Sequence, residues 1–525
     1  MPDRPSVSEK VFLGLNSEKL ANRGLAILVV YAAVRSLVAA ASRPFWYDEI
    51  CTYIMAHQPS VHSIWSALER AADGQGPAYY IIERAASAIV RDQEIALRLP
   101  SIFGYCCLTI CIFIFVRRRV GSTYALICSL IPFMTVLFEV YAIEARAYSL
   151  VVACIAAALV CYQRASSWRW ALPMGMCLAL AESLHYYAVF AFVPIGLAEG
   201  VRFLRTKGFR IGVWLALLCG AAPLAIFWPL LADFRAYLGV HFWARPTLVA
   251  LGGMYGWFFG VVSWCAVALV AVLALGVVGA ALPVATRKTE IPAARGSMFD
   301  EQLLTLALLG LPFVGYAAAR IAHGGLTGRY MLPTVLGVPL ALGWILPRLE
   351  RRSLTLLVAF VVFGAGVREG LFWIPRIAYP ADLKANAVSI EQLVGTAGHE
   401  DLPVAFSDGV EFLAVAHYAD PYWRDRFVYL VDPKKELAYT KSDAMDKELR
   451  VLRTLAPINA FDFAAFAAQH PTFLLYSDDG REGGDGIDRL DWWPDRLVDD
   501  GSSLNLLVSK GSRKIYLVGL RRNSN

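Results

Sequence analysis

Long apolar runs dominate positions 1–373 and then stop. A helix that crosses a bilayer needs about 20 apolar residues. By that measure about eleven runs are candidate spans: 24–41, 96–116, 124–140, 148–162, 170–184, 186–202, 211–231, 255–282, 303–319, 331–346 and 354–373. The third, fourth and fifth are short and bounded by polar residues. Basic residues fill alternate connectors: Arg117-Arg118-Arg119; Arg164 and Arg169; Arg202, Arg205, Lys207 and Arg210; Arg287, Lys288 and Arg295; Arg348, Arg351 and Arg352. With Arg4, Lys10, Lys19 and Arg23 they form one set, which the positive-inside rule places in the cytoplasm. The other connectors and everything after the last span then face outward. The run 24–41 passes into an aromatic and acidic segment, not a small-residue cleavage site, so no cleavable signal peptide is expected.

The outward connectors are not plain loops. Residues 42–95 contain Trp46, Asp48, Glu49, His57 and His62, with amphipathic stretches at 61–71 and 77–90 that are expected to lie at the membrane surface. Later outward connectors hold Glu144 and Arg146, His185 and Tyr186, His241 and Arg245, then His323, Arg329 and Tyr330. Acids, arginines, histidines and aromatics therefore gather on one face, while the opposite connectors carry little besides Lys and Arg.

The tail is different. Strand-like runs at 403–406, 427–431, 473–476 and 514–520 alternate with helical patterns such as 409–418 and 447–455. That alternation predicts a small α/β domain with a partly parallel sheet. Three strands run into Ser407-Asp408-Gly409, Asp432-Pro433 and Ser477-Asp478-Asp479-Gly480. Such strand ends often bind ligands, but Asp and Ser also cap helices and form turns there, and capping is the favoured reading. The expected architecture is a polytopic α-helical membrane domain over 1–373, with a long first outward loop at 42–95, and an extracytoplasmic α/β domain over 374–525.

Composition agrees with a membrane chain. Of 525 residues, 57% are hydrophobic and 18% charged, whereas soluble domains carry roughly a quarter charged residues. An ordinary soluble enzyme is excluded. The balance of 49 basic against 43 acidic residues, +6, is too mild to argue for nucleic acid. The ten cysteines all precede residue 266, lie mainly in apolar runs and include no CxxC pair. They read as small buried hydrophobes, not metal ligands or a disulfide framework.

Asp48 and Glu49 follow the first span inside an aromatic segment. A partly desolvated carboxylate there can serve as general base; an interfacial aromatic belt with solvated acids is the competing reading. Glu144 and Arg146 sit between Tyr141 and Tyr148, where charges at a bundle edge either work in chemistry or pair with each other. Arg245 and Arg329 lie beside aromatics in outward loops, and a guanidinium fork suits a phosphate. Lipid headgroup binding is the alternative. His185, His241 and His323 fit interfacial hydrogen bonding better than metal ligation. Arg98 either snorkels outward or pairs with an acid of its own loop.

An ordered set of short motifs resembles the GT-C glycosyltransferases of the protein O-mannosyltransferase and aminoarabinose transferase group, in its bacterial family 39-like branch. The motifs are Trp46-Tyr47-Asp48-Glu49, Gly76-Pro77-Ala78-Tyr79-Tyr80, Ala96-Leu97-Arg98-Leu99-Pro100-Ser101, Tyr141 through Tyr148, His185-Tyr186-Tyr187 and Gly328-Arg329-Tyr330-Met331-Leu332-Pro333. They cover most of the membrane part and not the tail. Many relatives carry His-Pro-Pro where this chain has Gln75-Gly76-Pro77, and proline where it has Ala147.

The resemblance implies an integral protein of the cytoplasmic membrane with its active site and tail extracytoplasmic. It implies an enzyme that takes sugar from a polyprenyl-phosphate donor to an acceptor hydroxyl on a lipid, glycan or protein, with inversion. Asp48 is then the base, with Glu49 its neighbour and Glu144 the next candidate. Arg146, Arg245 and Arg329 are candidates for the phosphate, and His185, Tyr186, His241 and Tyr330 for further substrate contacts. No cofactor is obligatory for a monophosphate leaving group, although a divalent metal could assist. The rival readings are an oligosaccharyl or pentosyl transferase with another lipid-linked donor, a transporter, and a non-catalytic scaffold. Polar residues gathered at one surface, with no internal repeat, argue against transport.

Overall fold

The computed structural model describes residues 7–259, 298–322, 324–349, 351–378, 382–480 and 490–521. Arg4, Arg287, Lys288, Arg295, His323 and most of the predicted span 255–282 lie outside them. Five helices are long and apolar enough to cross a membrane: Glu18–Ala41, Gln93–Val120, Tyr186–Thr206, Gly328–Arg348 and Arg352–Ile377. Two further runs are bent pairs, Ile211–Ile226 with Trp228–Tyr237 at 50° and Phe299–Leu309 with Leu311–Ala322 at 54°. The described residues thus hold five spans, or up to seven if each bent pair is one, beside the eleven runs expected.

Proline accounts for much of the difference. Pro229 and Pro312 each stand second in the helix after a bend, where proline has no N–H to give the preceding turn and its ring clashes with it. The run 124–140 breaks around Pro132 into the helix Ser122–Cys128, a 3-10 turn Ile131–Met134 and the helix Val136–Tyr141. The helices Tyr148–Tyr162 and Trp168–Leu184 form where expected but are short for a bilayer. Leu99–Val120 meets Tyr148–Tyr162 closely at Gly104, where a Cβ would stand 2.7 Å from the Leu150 nitrogen. Small residues at such points let membrane helices approach. Outward faces are apolar: Ile27 and Val30 of the first helix and Phe363 and Leu371 of Arg351–Ala378 are exposed, as lipid contact requires. The chain is an integral membrane protein.

The tail forms a six-stranded sheet in the order β3-β2-β1-β4-β6-β5. Strands β1 (Val404–Phe406), β2 (Phe427–Val431), β3 (Ala460–Asp462) and β4 (Thr472–Asp478) run parallel, with β6 (Arg513–Gly519) and β5 (Ser503–Lys510) antiparallel at one edge. Asp408 caps the helix Gly409–Tyr418 by accepting from Val410 N, and Asp432 caps Pro433–Thr440. Two of the three polar strand ends therefore do the capping that the sequence favoured, and at the third Asp478 Oδ1 accepts from Gly480 N in a turn.

The loop 42–95 departs from expectation. The helix Tyr47–Ala56 does not lie in an interfacial aromatic belt. Phe45, Tyr47, Ile50, Cys51 and Ile54 share one buried cluster with Phe406, Phe412, Leu413 and Tyr429 of the tail. Burial against the sheet removes more apolar area from water than a half-wet interface would. The helices Val61–Glu69 and Pro77–Ile89 are amphipathic as predicted, but their inner residues Ile64, Leu68, Tyr79 and Tyr80 pack into the helical bundle. Gly76 ties this loop to the bundle: its N donates to Leu184 O at 3.0 Å, and a Cβ would stand 2.1 Å from Ser183 O. No side chain fits there, and the contact brings the loop beside His185.

Candidate active site

Asp48 and Glu49 occupy the first turn of Tyr47–Ala56 and take different surroundings. Glu49 faces inward and is fully buried. Arg98 Nε and Nη2 grip its two oxygens at 2.7 Å each, and Glu49 Oε1 also accepts from Ala145 N at 2.9 Å. Arg98 further donates to the carbonyls of Ala40, Arg43 and Pro44. Arg98 therefore pairs with an acid of its own loop and does not snorkel. Glu49 has no place on the cavity wall. It locks three chain segments and so fixes where Asp48 points.

Asp48 faces a cavity of about 740 Å³. Arg329 Nη1 donates to its Oδ2 at 2.6 Å, and Arg146 Nε lies 3.8 Å from the same oxygen. Arg146 also forks onto Asp73, at 2.5 and 3.0 Å. Burial alone would raise the Asp73 carboxyl, but the Arg146 guanidinium outweighs it and holds Asp73 below the usual carboxylate range. The Nε atoms of both Arg146 and Arg329 are buried without a hydrogen-bond partner. Buried donors are normally satisfied, so these two point to something that binds there.

His185 joins the same wall, ringed by Tyr148, Tyr187 and Tyr330 at centroid distances of 5.3, 5.7 and 5.3 Å. Its Nδ1 accepts from Tyr187 N at 3.2 Å. Burial, with Arg146 and Arg329 nearby, pushes His185 down to about 3. The ring is therefore neutral at any physiological pH, and Nε2 is left as its N–H donor. Tyr186 and Tyr330 also line the cavity. Arg329 lies over the ring of Trp243, 5.3 Å from the centroid. The apolar wall comes from the bent pair, through Leu224, Trp228, Leu231 and Phe234, and from Ala318 and Ala322.

Besides Glu49, three predicted site residues lie off the cavity. Glu144 is buried off the cavity, and burial and the charge of Glu49 push it up to about 8. Arg245 donates to Lys441 O at 2.5 Å, and His241 Nδ1 faces Asp443 Oδ2 at 3.4 Å, so both meet the tail and neither lines the cavity. Two cavity residues, Asp73 and Glu448, were missed. Asp73 had a faint signal, an acid in the long outward loop just before Gly74-Gln75-Gly76-Pro77. Glu448 had none, since it reads as one more acid on an amphipathic tail helix. Among the described residues no group of three or more His, Cys, Asp or Glu side chains is placed to hold a metal ion.

No family model matches the chain, and no curated protein matches it in sequence. Its structure is similar to that of ArnT from Cupriavidus metallidurans in the apo state, at 13% identity and a TM-score of 0.57, over 95% of this chain and 98% of that one. It is also similar to ArnT from the same organism bound to undecaprenyl phosphate, at 12% identity and a TM-score of 0.54, over 94% and 98%. The likeness shows the fold, which is that of these two ArnT structures, with the small sheet domain included in the match.

Proposed function

We propose that this chain transfers a sugar from a polyprenyl-phosphate donor to an acceptor hydroxyl at the outer face of the cytoplasmic membrane. The observation that carries the reading is the pair of unpartnered Nε donors on Arg146 and Arg329, beside Asp48, at the polar end of an apolar-walled cavity. A prenyl chain suits the apolar wall, and a phosphate suits two converging guanidinium groups. That ArnT has been solved with undecaprenyl phosphate adds support.

The reaction is a single displacement. The acceptor oxygen forms its bond to the anomeric carbon as the bond from that carbon to the phosphate oxygen breaks. The phosphate leaves with the electron pair, the hydroxyl proton passes to Asp48, and the anomeric configuration inverts. Asp48 is tied to Arg329. A donor phosphate competes for that guanidinium and frees the carboxylate, so base and donor arrive together. Arg146 and Arg329 stabilise the charge that grows on the leaving phosphate. On charge grounds a metal is not obligatory.

Mass spectrometry of lipid-linked sugars tests the reading. Cells lacking the protein are expected to accumulate one polyprenyl-phosphate sugar, which a restored copy clears. An unchanged lipid-linked pool sinks the proposal. Sidedness is tested separately. Asp479 is exposed on the tail, and a single cysteine there, in a background without the native ones, is expected to react with an impermeant thiol reagent in intact cells. Labelling only after lysis reverses the orientation.

A further inference from the structure

We propose that Glu448 is the acceptor-binding residue that the tail domain adds to this site, hydrogen-bonding a hydroxyl group of the acceptor. The inference rests on the transfer reaction proposed above. Ala444 and Glu448, one turn apart on the helix Ala444–Leu452, are the tail's share of the cavity wall. That helix is pinned to the membrane domain. Lys447 Nζ donates to Tyr237 O at 2.8 Å, Arg245 reaches Lys441 O, and Asp443 faces His241. The Cys51 thiol donates to Glu448 Oε1 at 3.6 Å. The carboxyl is thus held over the helix that carries Asp48.

Its surroundings define what it can bind. The charged and titratable groups facing it are Tyr47, Asp48 and Cys51 on one helix, Asp73 on the loop and Arg146 on the connector. No lysine or arginine pairs with it among the described residues. Burial and the charges of Asp73 and Asp48 push Glu448 up to about 8, against smaller opposing pulls from Arg146 and the Cys51 thiol. At neutral pH it is mainly a carboxylic acid, with one O–H to donate and lone pairs to accept. The Asp73 carboxylate, held by Arg146, can only accept. A neutral acid can therefore hold a hydroxyl close to an anionic donor without repelling the phosphate. The phosphate is claimed by Arg146 and Arg329 and the prenyl chain by the apolar wall, which leaves the tail-facing wall for the acceptor.

Three measurements test this: affinity of the purified protein in nanodiscs for undecaprenyl phosphate, clearance of lipid-linked sugar in cells lacking the native copy, and turnover against pH in membrane vesicles loaded with that sugar. Glu448→Ala is expected to bind undecaprenyl phosphate as the native protein does but to turn over about a hundredfold more slowly, the scale of a lost buried hydrogen bond. Glu448→Gln still donates and accepts, and is expected to recover to within about tenfold of native. Native turnover should fall as pH rises through about 8, because deprotonation removes the O–H and adds a charge beside the phosphate. Glu448→Gln should lack that alkaline limb. Native turnover in Glu448→Ala overturns the assignment. So does a Glu448→Gln protein that binds undecaprenyl phosphate yet is as slow as Glu448→Ala, since the residue would then need its charge. A native protein that fails to bind undecaprenyl phosphate instead overturns the transfer reaction itself.

Discussion

Asp48→Asn is expected to lower sugar transfer about a hundred- to ten-thousandfold, the usual contribution of a general base. The amide keeps the shape of the carboxylate and loses the oxygen that takes the proton. The fold should tolerate the change, because the neighbouring structure hangs on Glu49, whose oxygens hold Arg98 and the Ala145 nitrogen. Affinity for undecaprenyl phosphate should stay level or rise. The carboxylate accepts from Arg329 Nη1 at 2.6 Å; removing its charge leaves that guanidinium freer for phosphate. Transfer from a synthetic polyprenyl-phosphate sugar, measured beside undecaprenyl phosphate affinity, separates the two effects. Native turnover removes Asp48 as base. Asp73, held as a carboxylate on the same cavity wall, is then the nearer alternative, since Glu144 lies off the cavity.

The helical bundle was legible because apolar runs and basic connectors each act locally. What escaped was where proline divides a run, as at Pro132, Pro229 and Pro312. Local sequence marks a proline but does not say whether the helix kinks or ends there. In the tail, β1, β2, β4 and β6 were found from their compact apolar runs. Strand β3, Ala460–Asp462, has only two apolar residues before an acid, and β5 breaks its alternation at Leu506-Leu507-Val508 on an exposed edge, with a register shift between Leu506 and Val508. Asp48, Arg146, His185, Tyr186, Arg329 and Tyr330 were readable because each sits in a connector beside aromatics. Glu49, Arg245 and His241 looked the same in sequence. What separates them is tertiary: an internal arginine for Glu49, and the docked tail for the other two. Glu448 was invisible for the same reason, since only the packing of the tail against Tyr47–Ala56 brings it to the cavity.

Arg329→Lys is expected to slow transfer about a hundredfold, as when one preorganised donor to a developing oxyanion is removed. The substitution keeps the charge, so a purely coulombic role predicts little loss. The structure assigns Arg329 more than charge. One nitrogen holds Asp48, the Nε is buried and free for phosphate, and the guanidinium plane lies over Trp243. A lysine ammonium is a compact point charge that cannot hold two directions in one plane or stack in the same way. It can pair with Asp48 or meet the phosphate, and in pairing with Asp48 it blocks the base. Undecaprenyl phosphate affinity should fall less than turnover, because the interaction grows as the sugar–phosphate bond breaks and charge builds on the leaving oxygen. The check is the ratio of the two losses, measured on the same nanodisc preparation. Equal losses mean that Arg329 binds ground state and transition state alike. Native turnover in Arg329→Lys shifts the leaving-group role to Arg146, which forks onto Asp73 and keeps an Nε donor without a hydrogen-bond partner.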